Sequence, residues 1–415
     1  MKKIFNSKKT CRLCNESKLV KVVKLPPIFP GEQLKYQIKD KSYKVPIDLY
    51  QCKNCWHVQI KDIPIKELMW NEDYTFMPSL NPKLSKHFNK TILEFKKKFK
   101  PNITKAFEVG SNDGLFLKLL KDHFNCNVLG MDPSKIPANK AIQNKIPTII
   151  DFFDYKKSMK IKKKTSEFDL IIANNVYAHM DNLYDFTKGI KNLLKVNGYF
   201  IFEISYLPDV IKKNLIGTII HEHLSIHSIT SLRKFFYKFN FHLVDVRHDN
   251  EVQGGALVGY AIHTKKKANI SKRLKYFLKL EKSLNLDNLK GMKQFNKDLK
   301  LSILKLKKKI NKKFTKKEKF VAFGAARSAP IILELLGLKK RIKYFIDNNN
   351  FKDGKFMPIE NIPIKHLSKH DFKSSHNYII TGWAQHKKII KTIKSKSSNK
   401  QNILSIFPKF DAKKI

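Results

Sequence analysis

A chain of 415 residues, 42% hydrophobic and 11% aromatic, is too long for one ordinary core and too apolar for wholesale disorder. Its net charge of +48 arises from 83 Lys and Arg against 35 Asp and Glu, but only six are Arg and the lysines are dispersed, so nucleic acid is not the expected partner. No run of about 18 apolar residues occurs and no apolar stretch follows the basic start, so neither a membrane helix nor a secretory signal is expected and the chain reads as cytoplasmic.

Residues 1–70 are turn-rich and extended, punctuated by LPPIFPGEQ at 25–33. Within them Cys11, Cys14, Cys52 and Cys55 form two CxxC pairs. Two such knuckles complete a tetrahedral thiolate shell, and without an accompanying redox motif that shell favours zinc over an iron–sulfur centre. Four thiolates leave no open position, so the ion is structural and folds a module too small to be stable alone. Cys126 begins an apolar strand and is assigned to the core, whereas His57, beside the second pair, is read as exposed or, alternatively, as backing the cysteine ligands.

A helical period runs from 82 to 100 and stops at Pro101. Strand and helix then alternate: strands at 105–110, 126–132, 168–175 and 198–205, helices at 115–124 and around 185–195. Repeated β-α-β units with apolar strands predict a parallel, doubly wound sheet. The lysine-rich stretch 266–317 is expected to form linking helices. A second strand, Gly turn and helix follow at 319–337, with further strands at 342–350 and 377–383. The fold class is therefore α/β, with two Rossmann-like units behind a small cysteine domain.

Chemistry concentrates at three places. The turn Glu108-Val-Gly110-Ser-Asn112-Asp-Gly114 joins a strand to a helix, and its glycines let backbone N–H groups approach a ligand. Asn112 stands where a dinucleotide fingerprint needs glycine, which disfavours pyrophosphate. Glu108 suits an amino group or an ordered water, Asp132 at the end of the next strand suits ribose hydroxyls, and Asp151 with Phe152 suits an adenine. With both carboxylates so placed, the turn resembles motif I of class I S-adenosylmethionine methyltransferases. A fourth strand ends at Asn174–Asn175, the edge where such sheets bind ligands, with His179 one turn on, facing either substrate or the helix surface. His221-Glu222-His223 has the wrong spacing for an HExxH metal site and fits acid–base chemistry better, with the carboxylate orienting an imidazole.

Taken in order, CRLC…LPPIFPGEQL…QCKNC, EVGSNDG, ANNVYAHM, FEISYLPD, IHEHLSIHS, QGGALVGYA, FGAARSAPIILELLG and FIDNNNFKDGKFMPIENIPI resemble the three-domain sugar C-methyltransferases that act on nucleotide-linked ketodeoxysugars. The resemblance spans nearly the whole chain. It implies a zinc-binding domain at 1–70, an S-adenosylmethionine-binding methyltransferase domain at 71–265, and linking helices with a C-terminal Rossmann-like domain at 266–415. It further implies that a base removes the proton α to a sugar ketone and the enolate carbon takes the methyl group. Carried over by motif, His223 is the base, Glu222 orients it, and Tyr74 and His179 line the pocket. Glu108, Gly110, Asn112, Gly114, Asp132, Asp151, Phe152 and Asn175 are the expected cofactor residues. Ile220 departs from the family's Tyr before HEH, which bears on which sugar is taken. Arg327 in the C-terminal turn is read as meeting a phosphate or as structural. A monomer is expected, and an O- or N-methyltransferase acting on another small molecule or on RNA is the alternative.

Overall fold

The computed structural model describes residues 4–31, 33–65, 76–252 and 254–406, with Leu68 and the backbone of 411–414. The first strands are as brief as their turn-rich sequence dictates: β1 (Phe5–Ser7), β2 (Leu19–Val23), β3 (Leu49–Cys52), β4 (Val58–Ile60) and β5 (Asp62–Pro64). β2, β3 and β4 form an antiparallel meander, and β1 pairs with β5. After each CxxC pair one residue turns left-handed, Asn15 at φ 63° and Trp56 at φ 65°. Its N–H returns to the first cysteine's carbonyl, Asn15 to Cys11 at 2.9 Å and Trp56 to Cys52 at 3.0 Å, which closes the knuckle.

The central domain opens with α1 (Pro82–Phe99), capped by the Asn81 side chain and ended by a left-handed Lys100 just before Pro101. Then follow β6 (Lys105–Val109), α2 (Leu115–Phe124), β7 (Asn127–Met131), α3 (Lys135–Gln143), β8 (Thr148–Ile149), α4 (Tyr155–Thr165), β9 (Phe168–Asn174), α5 (Leu183–Leu193) and β10 (Leu194–Ser205). Beyond lie α6 (Leu207–Lys212), β11 (Ser225–Ile226), α7 (Ile229–Tyr237), β12 (Phe241–Asp249) and β13 (Ala256–His263). The seven-stranded sheet runs β12-β13-β10-β9-β6-β7-β8. Its inner strands are buried on both faces, as Leu170 to Ala173 and Phe200 to Phe202 illustrate, which explains their unbroken apolar runs.

The sheet departs from the all-parallel expectation at one strand. β13 is antiparallel to both β10 and β12. Only six residues separate it from β12, too few for a crossover helix, so the chain must double back. Strand order reverses between β6 and β9, and the crevice at their carboxyl ends is where an open α/β sheet receives a ligand.

Two linking helices, α8 (Lys272–Ser283) and α9 (Leu289–Lys313), lead to the last domain. There β14 (Phe320–Phe323), α10 (Ala329–Leu336), β15 (Ile342–Asp347), β16 (Phe356–Met357), β17 (Ile362–His366), β18 (Asn377–Ile380), α11 (His386–Lys396), β19 (Asn402–Ser405) and β20 (Asp411–Lys414) make a sheet of order β16-β17-β15-β14-β18-β19-β20. Five inner strands are parallel and the two edge strands antiparallel.

The domains do not fold side by side as strangers. β11 of the central domain adds antiparallel to β4, giving the first meander a fourth strand, β11-β4-β3-β2. One apolar cluster joins Val23 and Val58 of the first domain, Leu215 and Ile216 of the second, Met292 and Phe295 of α9, and Ile332 of α10. Glu281 of α8 is buried and accepts from the N–H groups of Ile229 (2.6 Å) and Thr230 (2.8 Å), capping α7. No helix among the described residues is long and apolar enough to cross a membrane.

Candidate active site

The four cysteine sulfurs lie within 4.8 Å of one another, with Cys11 to Cys55 and Cys14 to Cys52 each at 3.5 Å, and none is in a disulfide. A tetrahedron with Zn–S bonds of about 2.3 Å sets its sulfurs about 3.8 Å apart, so the cluster fits zinc. Three of the four are buried and, among the described residues, no fifth donor joins them, which fits a structural site. Cys126 is buried in the core as expected. His57 is not exposed: it is fully buried, hydrogen-bonded to Ser225 Oγ at 2.9 Å and stacked on His227. The reason is the β4–β11 pairing, which covers the second knuckle with a strand from far along the chain.

At the carboxyl end of β6 the backbone turns at Gly110 with φ +72°, and a Cβ there would lie 2.5 Å from Val176 Cγ2. Only glycine passes. Asp132, ending β7, accepts from the Asn112 N–H at 2.9 Å and the Ser134 N–H at 2.8 Å, which fixes the shape of the turn. Glu108 is 3% exposed; Asn174 donates to one of its oxygens at 3.2 Å, while the other has no partner. Burial raises the pKa of Glu108 well above the usual carboxylate range, and raises that of Asp132 to a lesser degree. Ser111 Oγ and Asp113 Oδ1 are likewise buried without partners. Such orphaned acceptors beside a forced turn fit a cationic, hydroxyl-bearing ligand such as S-adenosylmethionine.

Glu108, Gly110, Asn112, Asp132, Asp151, Phe152 and Asn175 all line one cavity of about 720 Å³. Gly114 does not; it sits behind the turn against Ala141 and Ile146, where it lets α2 approach α3. Asp151 and Phe152 lie at the exposed rim, with Asp151 paired to Lys157. Tyr74 lies outside the described residues.

The segment 216–224 forms the opposite wall. His223 lines the cavity, and its Nδ1 is 2.6 Å from the Thr218 carbonyl, which can only accept. Nδ1 therefore carries the proton and the Nε2 lone pair is left available. Burial lowers the His223 pKa, helped by the Arg327 guanidinium and opposed by the Thr218 bond, so the ring is neutral. His179 is not on an open helix surface. It lines the same cavity in a 3₁₀ turn, its Nδ1–H donates to the Glu222 carbonyl at 2.7 Å, and burial first, then His223, hold its pKa at about 3. The two rings are 5.1 Å apart. His221 points away, donating from Nε2 to the carbonyls of Val45 (3.2 Å) and Pro46 (3.1 Å) of the first domain.

The orienting bond to His223 thus comes from Thr218, where the sequence reading gave that task to Glu222. The Glu222 carboxylate, 1% exposed, lies 3.3 Å from Arg327 Nε. Arg327 belongs to the turn after β14, so the C-terminal domain closes the cavity, together with Trp383 and Lys352. Gly217 is required here because a Cβ would lie 2.3 Å from Trp383 Nε1. Sequence reasoning missed Thr218 and Trp383, whose roles rest on contacts between segments far apart in the chain.

Comparison with known proteins follows the same three-part division. Residues 11–70 match a zinc binding domain, residues 83–246 a methyltransferase domain, and residues 251–408 the C-methyltransferase C-terminal domain. The chain is 24% identical over 321 residues to the C-methyltransferase NovU of Streptomyces niveus, covering 77% of this chain and 76% of that one. Solved structures overlap more loosely. Magnesium protoporphyrin IX methyltransferase from Synechocystis PCC 6803 covers 43% of this chain and 79% of its own at 11% identity and TM-score 0.33. The N-methyltransferase NodS from Bradyrhizobium japonicum covers 45% and 99% at 14% identity and TM-score 0.34. The order of the three matched domains, with the sulfur cluster and the cavity between two α/β units, makes this chain an S-adenosylmethionine-dependent C-methyltransferase that carries a zinc-binding domain.

Proposed function

We propose that the acceptor is a nucleotide-linked keto-deoxysugar, methylated at the carbon next to its ketone with His223 as the base. The observation that carries this reading is the bond between His223 Nδ1 and the Thr218 carbonyl, which leaves Nε2 available in the cavity that the Gly110 turn also lines. A ketone acidifies its α-proton enough for an imidazole to remove it, provided the enolate oxygen meets donors or positive charge. Arg327 and Lys352 on the far wall bring that charge and suit a diphosphate. Glu108 and Asp132 are read as holding the amino group and ribose of the cofactor, with Asp151 and Phe152 at the adenine. When bound, S-adenosylmethionine supplies the electrophilic methyl group. After proton transfer His223 becomes an imidazolium, and the neighbouring neutral His179 adds no charge to oppose it. Ile220, lining the cavity where a phenol would add a donor, points to a sugar different from the family's usual one.

The test is exchange of the α-proton of nucleotide-linked keto-deoxysugars in deuterated buffer. Wild type is expected to exchange it, and His223→Ala to slow exchange and methylation by about 10² to 10⁴. Full turnover by His223→Ala would sink the base assignment. Binding of S-adenosylhomocysteine without exchange across a panel of keto sugars would point to another small-molecule acceptor.

A further inference from the structure

Behind the cavity lies a buried ionic group that the reaction above does not use. Glu203 of β10 is 1% exposed, in the middle of the sheet. One of its carboxylate oxygens lies 2.5 Å from Nε2 of His87, on α1, itself 3% exposed. The other accepts from Asn175 Nδ2 at 2.7 Å, and the Glu203 backbone carbonyl accepts from the Asn175 N–H at 2.9 Å. The far side of His87 meets Asp249 Oδ2 at 3.0 Å, with Arg247 alongside. Burial presses His87 toward its neutral form, but the carboxylates of Glu203 and Asp249 outweigh it and raise its pKa.

Asn175 is where this chain of contacts reaches the cavity. It follows the last residue of β9, lines the cavity wall, and is left-handed at φ 55°. Asn is among the few side chains that tolerate that region, and it does so best when its amide is tied down. Its neighbour Asn174 is tied the other way, to Glu108 of the cofactor strand. The two asparagines thus splay apart, one to β6 and one to β10, and the strand end between them stays open to ligand.

We propose that His87 and Glu203 are positioning residues that act through Asn175, holding the end of β9 in the shape that receives the cofactor. A carboxylate is needed at 203 because it must accept from two donors at once, His87 on one oxygen and Asn175 on the other. A glutamine there would present an N–H₂ to one of them. The purely structural alternative is that the group only fastens α1 to the sheet; in that case Asn175 is a bystander.

A double-mutant cycle on S-adenosylhomocysteine affinity, measured by calorimetry, separates the two. Glu203→Gln is expected to weaken binding about tenfold, as is Asn175→Gly, which keeps the left-handed backbone but removes the amide. The double variant is expected to be no weaker than either single one. Multiplied losses, or wild-type affinity in Glu203→Gln, would overturn the proposal. If Glu203→Gln does not fold, His87→Gln enters the same cycle with the same two outcomes. The readout involves no sugar acceptor, so it stands or falls apart from the assignment of the substrate.

Discussion

The two α/β domains contain the same turn, built to the same plan and finished differently. In each, the first strand ends in glycine and the next strand ends in an aspartate that takes an N–H from the turn. Asp132 accepts from Asn112 at 2.9 Å in the central domain, and Asp347 accepts from Ala325 at 2.9 Å in the C-terminal one. In the central domain the surrounding polar groups are left wanting: Glu108, Ser111 and Asp113 each keep a buried oxygen without a partner. In the C-terminal domain Lys352 enters the turn, donates to the Ala325 carbonyl at 2.8 Å and lies 4.0 Å from Asp347. Gly324 is also pressed against Gly382, leaving a Cβ only 2.7 Å from its nitrogen. A strand–turn–helix unit thus offers a ligand free polar atoms only where folding leaves them unpaired, and is a plain wall where folding satisfies them.

The largest effect is expected from three histidines: one in the turn after β9, one in the segment 216–224 and one just after β11. His179, His221 and His227 are held by burial at pKa values of about 3, 4 and 4, below the ordinary value of 6.5. Between those limits the unfolded chain binds more protons than the folded one, so stability falls as pH drops below about 6.5. At pH 5 this amounts to roughly 2 kcal/mol per ring, and thermal melts from pH 7.5 to 4.5 are expected to fall steeply. A flat profile would contradict the buried, neutral assignment.

Next in size is the contrast between the two aspartates. Asp132→Ala is expected to weaken S-adenosylhomocysteine binding about a hundredfold, as for the loss of two hydrogen bonds to a charged group. Asp347→Ala is expected to change it by no more than about twofold. Equal losses in calorimetry would mean that both turns serve one ligand.

Smaller still is the balance at Glu108. A carboxyl whose pKa is raised on folding costs stability above its unfolded value, and that cost disappears in acid. Glu108→Gln is therefore expected to stabilise the ligand-free protein by about 1 kcal/mol at pH 7 while weakening cofactor binding about tenfold. Destabilisation together with unchanged affinity would place Glu108 in the structural group instead. The smallest effect belongs to Lys352→Met, which is expected to leave S-adenosylhomocysteine affinity within about twofold of wild type.

Local signals in the sequence located most of the frame. The helix at 115–124 and the strands at 105–110, 126–132 and 342–350 needed only periodicity and Gly or Pro punctuation, and they appear within a few residues of the expected bounds. The four cysteines were legible because CxxC spacing constrains geometry locally. Three things were not legible, for one physical reason. β13 runs backwards because of a connection too short to cross over, His57 is buried by a strand from beyond residue 220, and Glu203 finds His87 across the sheet. Each depends on which distant segments meet, and neither hydrophobic period nor motif spacing encodes that directly. The HEH segment shows the same division: its chemistry could be read, but the carbonyl that fixes His223 belongs to Thr218, which carries no motif.

The pairing of β4 with β11 also constrains how the chain is made. The first sheet gains its fourth strand only when residues 225–226 have been synthesised, after nearly the whole cofactor-binding half. Until then β4 waits with an open edge, and an open edge is an invitation to wrong partners. A nascent chain that captures zinc early holds its knuckles folded through that interval. On this view metal supply during translation governs the yield of active enzyme, and starving cells of zinc would show first as aggregated chains rather than as folded protein with reduced turnover.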